Sequence, residues 1–209
     1  MNSIYKVLKF RSNNSKEVDD QISIEEPLEI TIKYKDKENW VENTISITMR
    51  TPGDDEDLVR GFLFNERVIE KIDYIESIEL AGDPVGQYKL KNKAVVTINN
   101  SENIDIDKIK RNFLTNSSCG VCGKTSLDSL EIIKKDKILQ SIPKIKYDII
   151  MKSPNMLRQN QSEFSKTGGI HASGLFNVSG EIIAVKEDVG RHNALDKLIG
   201  FVLKKELLD

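Results

Sequence analysis

The chain has 209 residues, 38% of them apolar and 31% charged, with a formal net charge of -2. That length supports one large or two small domains with a sizeable core. So little net charge gives no strong field for nucleic acid or an anionic membrane, and neither is expected as a partner. No run approaches the roughly 20 apolar residues of a membrane span. Met1 to Arg11 lacks the apolar stretch of a signal peptide, and two cysteines in an unexported chain point to a reducing cytoplasm.

In chain order, residues 1–22 read as a lead-in with one strand at 5–10 and then a polar loop. Leu28, Ile30, Ile32 and Tyr34, then Ile45, Ile47 and Met49, recur at period two on either side of the turn 36–39. This spacing predicts a hairpin of strands 27–35 and 42–50 with one buried face. Arg50-Thr51-Pro52-Gly53-Asp54-Asp55-Glu56-Asp57 closes it and opens a helix. The acids suit the first helical turn, as caps or dipole partners, and Leu58, Phe62 and the run 64–68 give an apolar face. The alternative is that Arg50 with Asp54 or Asp55 faces a polar ligand. Two further strands are expected near 74–81 and 88–98 around Gly82-Asp83-Pro84. Residues 1–100 thus read as a strand-rich unit, residues 101–209 as a second domain, and 99–103 as the most linker-like stretch.

A short helix at 107–114 leads to Ser117-Ser118-Cys119-Gly120-Val121-Cys122-Gly123-Lys124, which holds both cysteines. Thr125 and Asp128 suit a helix start directly behind it, with Leu127, Leu130 and Ile133 on one face. A thiol ahead of a helix N-terminus and beside a lysine has its pKa lowered from about 8.5 into the range of roughly 3.5–7.5, which favours a reactive thiolate. A structural disulfide, a zinc site completed in a dimer, and two small packing residues are the competing readings. Zinc needs four ligands, and the only histidines, His171 and His192, lie far downstream.

Beyond a basic surface loop at 134–146, Ser153-Pro154 reads as N-cap and N1 of a helix ending near Lys166, with Gly168 just past its end. In Thr167-Gly168-Gly169-Ile170-His171-Ala172-Ser173-Gly174, adjacent glycines let a backbone approach an anion, or simply stop a helix before a strand. A second hairpin is expected over 171–177 and 181–186 around Val178-Ser179-Gly180. Glu187-Asp188-Val189-Gly190-Arg191-His192-Asn193 then forms a charged loop, with Asn193 capping a last helix over 194–208. A loop between strand and helix is where an open α/β sheet places a ligand, although a solvated, salt-bridged turn has the same composition.

Four segments, occurring in this order, resemble the FdhD family of sulfur carriers required by formate dehydrogenases. They are Arg50 to Asp55, Ser117 to Lys124, Thr167 to Ala172, and Glu187 through Ala194-Leu195-Asp196-Lys197, and the likeness runs from about residue 25 to about residue 200. The resemblance implies an α/β fold, a cytidine-deaminase-like three-layer domain joined to a smaller strand-rich N-terminal unit, as a homodimer in the cytoplasm. It implies a cysteine desulfurase that loads sulfur as a persulfide on Cys119, with Cys122 its partner in the loop. The sulfur would pass to the molybdenum of bis-molybdopterin guanine dinucleotide, a bound substrate rather than a resident cofactor, for formate dehydrogenase. Gly168, Gly169, His171, Asp188, Arg191 and His192 would line the cofactor site, with Arg50 and Asp54 as further candidates and no metal ligands. Arg191 suits a phosphate through bidentate hydrogen bonds.

Two departures stand out. Family members commonly continue past the last helix, so the family's C-terminal segment is expected to be lacking beyond Asp209, leaving apolar helix surface uncovered. In Glu66-Arg67-Val68-Ile69 the family commonly has glycine at the second position, a change expected to alter only a helix end. A zinc deaminase would need H-x-E ahead of P-C-x-x-C, which this sequence lacks. A thioredoxin-like oxidoreductase would need a βαβ context around the cysteines. A cofactor chaperone without sulfur chemistry is the remaining alternative.

Overall fold

The computed structural model describes residues 1–12, 14–99, 104 and 144–207. Both cysteines, the helices expected on either side of them, most of the stretch 99–103 and the loop from 134 to 143 lie outside the described residues.

The first half is built on a four-stranded sheet in the order β4-β3-β6-β5. Its strands are β3 (Glu26–Asp36), β4 (Asn39–Arg50), β5 (Ile75–Ala81) and β6 (Lys93–Ile98), with β3 and β6 parallel and the outer pairs antiparallel. Helix α1 (Asp55–Asn65) covers one face. Leu28, Ile30, Ile32, Tyr34, Ile45, Ala94, Val96 and Ile98 from the strands meet Leu58, Val59 and Leu63 from the helix, with Val68, Ile69 and Ile104 closing the cluster. Burying each such side chain is worth about 1.5–3 kcal/mol, which makes this core the main support of the first half.

The alternation in β3 is the one its sequence predicts, but that in β4 inverts halfway. Register slips between Ile30 and Thr31, which pair with Ser46 and Thr44, so Ile45 is the extra residue of a bulge. Because side chains alternate faces, one inserted residue moves every later one across the sheet. Ile47 and Met49, expected inside, are therefore 56% and 47% exposed. Ser46, Thr48 and Arg50 turn inward instead.

The N-terminal lead-in is also more ordered than its sequence suggests. β1 (Asn2–Arg11) and β2 (Asn14–Ser23) form an antiparallel hairpin, in place of one strand and a polar loop. The strand expected at 88–98 begins only at Lys93, after a turn in which Val85 bridges Leu90.

The described part of the second half is a two-stranded sheet of β7 (His171–Phe176) and β8 (Ile182–Asp188) with helices α2 (Tyr147–Gln159), α3 (Ser162–Thr167) and α4 (Arg191–Lys204). α2 starts six residues before the expected N-cap and runs through Pro154. Proline removes the donor that would reach Ile150 O, and the Ser153 hydroxyl donates to that carbonyl instead, at 2.9 Å. The expected single helix is thus two, and the second ends at Gly168, whose φ of 69° is the left-handed C-terminal stop its type predicts. Among the described residues no helix is long and apolar enough to cross a membrane.

The halves meet where α1 crosses α4. Gly61 faces the backbone of Asp196 and Gly200 faces that of Asp57. A Cβ on either glycine would fall 1.8 Å from a carbonyl oxygen, so the helices touch main chain to main chain. On the other side, Ser23 Oγ donates to Thr167 Oγ1 and Asn2 Nδ2 to Glu163, tying the N-terminal hairpin to α3.

Candidate functional site

The inward turn of β4 brings Arg50 to the start of α1. Its guanidinium has no exposed surface, and all five N–H groups donate within the protein. Nε and Nη2 hold the two oxygens of Asp55 at 3.0 and 3.1 Å, Nη1 reaches Glu26 O and Pro27 O, and Nη2 also reaches Asn92 Oδ1. Arg50 therefore fixes the end of the hairpin to α1 and has no donor left for a ligand. The neighbouring acids do not cap α1 by side-chain hydrogen bonds. Asp54, in the left-handed region at φ 54°, and Asp57 both pair with Lys186 of β8 at 3.0 Å. Burial presses the Lys186 ammonium toward neutrality, but the hydrogen bonds it donates to the two aspartates prevail and raise its pKa.

Asp188 is fully buried and is the hub of the second charged motif. Its Oδ1 accepts from Gly190 N at 2.9 Å and Asn193 Nδ2 at 3.1 Å, and its Oδ2 from Thr51 N at 3.1 Å. Lys197, 2% exposed, completes the carboxylate at 2.7 Å and gives its other protons to Thr51 O and Glu187 O. Thr51 Oγ1 in turn accepts from Val189 N. Asn193 does not cap α4, contrary to its sequence position. The N-cap is Gly190, and Asn193 lies within the helix, donating to Met49 O and accepting from Thr48 Oγ1. The Thr51-Pro52 turn, the end of β8 and the start of α4 thus form one satisfied polar cluster. Sequence reasoning passed over Thr51, Lys186, Asn193 and Lys197 as members of this cluster, because only the fold brings 50–57 against 186–197.

Glu187 points to the opposite face and caps α3. Its carboxylate accepts from the backbone of Glu163 and Phe164, both at 2.9 Å, at the positive end of that helix.

What remains exposed of the expected site collects at one end of the β7–β8 hairpin. Register pairs His171 with Asp188, so the Gly168-Gly169 entry to β7 and the Val189-to-His192 exit from β8 lie side by side. Gly168, Gly169, His171, Arg191 and His192 are all exposed there. Arg191 and His192 open the first turn of α4, whose N-terminus has no side-chain cap. Asp188 lies beneath this rim, accepting from Gly190 N, whereas Arg50 is turned to Asp55, Glu26, Pro27 and Asn92 and Asp54 pairs with Lys186. Cys119 and Cys122 lie outside the described residues.

With this geometry in place, comparison with known proteins decides the family. The sequence model of the FdhD/NarQ family matches residues 23–208. This chain belongs to that family. It is 40% identical over 198 residues to the sulfur carrier protein FdhD of Sulfurisphaera tokodaii, across 95% of this chain and 69% of that one. The sulfur carrier protein FdhD of Sulfolobus acidocaldarius is 37% identical, across 97% and 70%. A crystal structure described as a formate dehydrogenase accessory protein from Desulfotalea psychrophila shares the fold. The TM-score is 0.64 at 22% identity, over 97% of this chain and 69% of that one. The mixed α/β architecture expected from the sequence is the one observed.

Proposed function

We propose that this FdhD-family chain is a sulfur carrier that serves the maturation of formate dehydrogenase, with Cys119 as its persulfide-forming thiol. The observation that carries the reading is the Cys119-Gly120-Val121-Cys122 motif in a chain whose relatives at 37–40% identity are named sulfur carrier proteins. In loading, the Cys119 thiolate attacks the terminal sulfur of a persulfide on a cysteine desulfurase. The donor's S–S bond breaks, the donor leaves as a thiolate, and Cys119 keeps the persulfide. Cys122 can supply the two electrons for release. Its thiolate bonds to Cys119 Sγ, the bond to the terminal sulfur breaks, sulfide leaves, and a thiol reductant reopens the resulting disulfide.

The acceptor in this reading is the molybdenum of bis-molybdopterin guanine dinucleotide, bound as substrate. The rim of Gly168, Gly169, His171, Arg191 and His192 suits its phosphates, since it combines exposed backbone, an uncapped helix start and a guanidinium. Asp188 acts from below by holding that helix start in place. A cytoplasmic homodimer with the desulfurase and formate dehydrogenase as partners completes the proposal.

A bacterial strain lacking its own FdhD-family protein provides the test, with formate dehydrogenase activity as the readout. Wild type should restore activity and Cys119→Ala should restore none. Full activity with Cys119→Ala would replace the carrier with a chaperone that holds cofactor without sulfur chemistry.

A further inference from the structure

Glu187 and Asp188 are neighbours at the end of β8, so their side chains leave the strand on opposite faces. Asp188 holds the start of α4, which carries Arg191 and His192. Glu187 holds the start of α3, whose other end is Gly168. Each Glu187 oxygen accepts one backbone N–H, Oε2 from Glu163 and Oε1 from Phe164, both at 2.9 Å, and Ser162 Oγ donates to Oε2 at 3.3 Å. α3 has little else to fix it. Its six residues fall well short of the roughly 12–15 that a helix needs to be even marginally stable alone, and none of them is buried. Arg158 of α2 stacks on the Phe164 ring at 4.1 Å, and at the far end Thr167 Oγ1 accepts from Ser23 Oγ and Gly169 N. The peptide unit between residues 187 and 188 therefore fastens both halves of the exposed rim, Gly168-Gly169 on one side and Arg191-His192 on the other.

We infer that Glu187 is a positioning residue for this rim. By capping α3 it sets where the Gly168-Gly169 backbone stands relative to Arg191 and His192, without itself touching the ligand. The inference rests on the reading of the rim as the site for the cofactor's phosphates. A ligand that bridges both sides binds more tightly when they are already in place, because the cost of ordering them no longer falls on the binding step.

Isothermal titration of the whole chain with guanosine diphosphate, a fragment of that cofactor, tests this. Hydrogen exchange at the Gly168 amide, which closes α3 by donating to Phe164 O at 2.8 Å, is read alongside. Without the charged acceptor at its start, α3 in Glu187→Ala should lose roughly tenfold in Gly168 protection. Guanosine diphosphate should bind that variant roughly tenfold more weakly, the scale of one ordering cost returned to the binding step. Glu187→Gln, which keeps an acceptor oxygen at the same reach, should recover most of both. Ile32→Val, which opens a small cavity in the first-half core, controls for lowered stability alone and should bind as wild type. Arg191→Ala tests the rim itself and should lose binding. Normal affinity in Glu187→Ala beside a loss in Arg191→Ala would overturn the inference and leave the rim reading standing. So would unchanged Gly168 protection in Glu187→Ala, or an equal loss of affinity in Ile32→Val. No binding by wild type, or full binding by Arg191→Ala, would overturn the rim reading and the inference with it.

Discussion

Gly200→Ala sets two physical effects of opposite sign against each other. In an ordinary helix interior, glycine to alanine stabilises by about 1 kcal/mol through backbone entropy. Here the added Cβ would lie 1.8 Å from Asp57 O, against the roughly 3.0 Å below which such contacts essentially never occur. The two helices must part locally by about 3.0 − 1.8 = 1.2 Å, and the obstacle is main chain, not the end of a flexible side chain. A gap of 0.5–1 Å already forfeits a quarter to a half of each dispersion contact across it. It also disturbs Asp57 itself, whose side chain pairs with Lys186 of β8. Overpacking of this kind costs about 1–3 kcal/mol and more against rigid backbone, so we expect a net loss of about 2–4 kcal/mol. Urea unfolding followed by circular dichroism measures it as a lower midpoint at unchanged slope. A variant as stable as wild type, or more so, would refute the main-chain contact between α1 and α4.

Two further outcomes follow from single side chains. Lys197→Met leaves the Asp188 carboxylate buried without its cation and should cost about 3–5 kcal/mol in the same unfolding assay. Arg67 follows the end of α1 with φ 56°, a left-handed conformation that favours glycine, so Arg67→Gly should stabilise by about 0.5–1 kcal/mol and raise the thermal midpoint.

The same residues show what the sequence makes legible. Leu28, Ile30, Ile32 and Tyr34 announce their strand because one uninterrupted period-two face is buried. Gly168 announces a helix end and Val178-Ser179-Gly180 a hairpin turn, because the Asn177 side chain and a glycine at φ 87° satisfy local geometry. The bulge at Ile45 is invisible, since nothing in Thr44-Ile45-Ser46 marks an extra residue, yet it decides that Arg50 points inward. The second strand of the N-terminal hairpin has no apolar alternation; backbone pairing with β1, the Lys6–Glu17 and Lys9–Asp20 ion pairs and the Ser23–Thr167 hydrogen bond hold it. Capping of α3 by Glu187 and the cluster of Thr51, Asp188, Asn193 and Lys197 join residues far apart in the chain, which periodicity cannot reveal. The rim of Gly168, Gly169, His171, Arg191 and His192 was readable as residue types. That Asp188 holds the start of α4 from below, while Arg50 ties the first hairpin to α1, needed the fold.

The central claim is that Cys119 carries sulfur, and intact-protein mass spectrometry after incubation with a cysteine desulfurase and cysteine tests it most directly. The account predicts a gain of one sulfur atom, about 32 Da, that maps to Cys119, is removed by a thiol reductant, and is absent in Cys119→Ala. Cys122→Ala should load equally and, without added reductant, keep its sulfur. A protein that gains no sulfur under these conditions, or gains it equally in Cys119→Ala, would contradict the account.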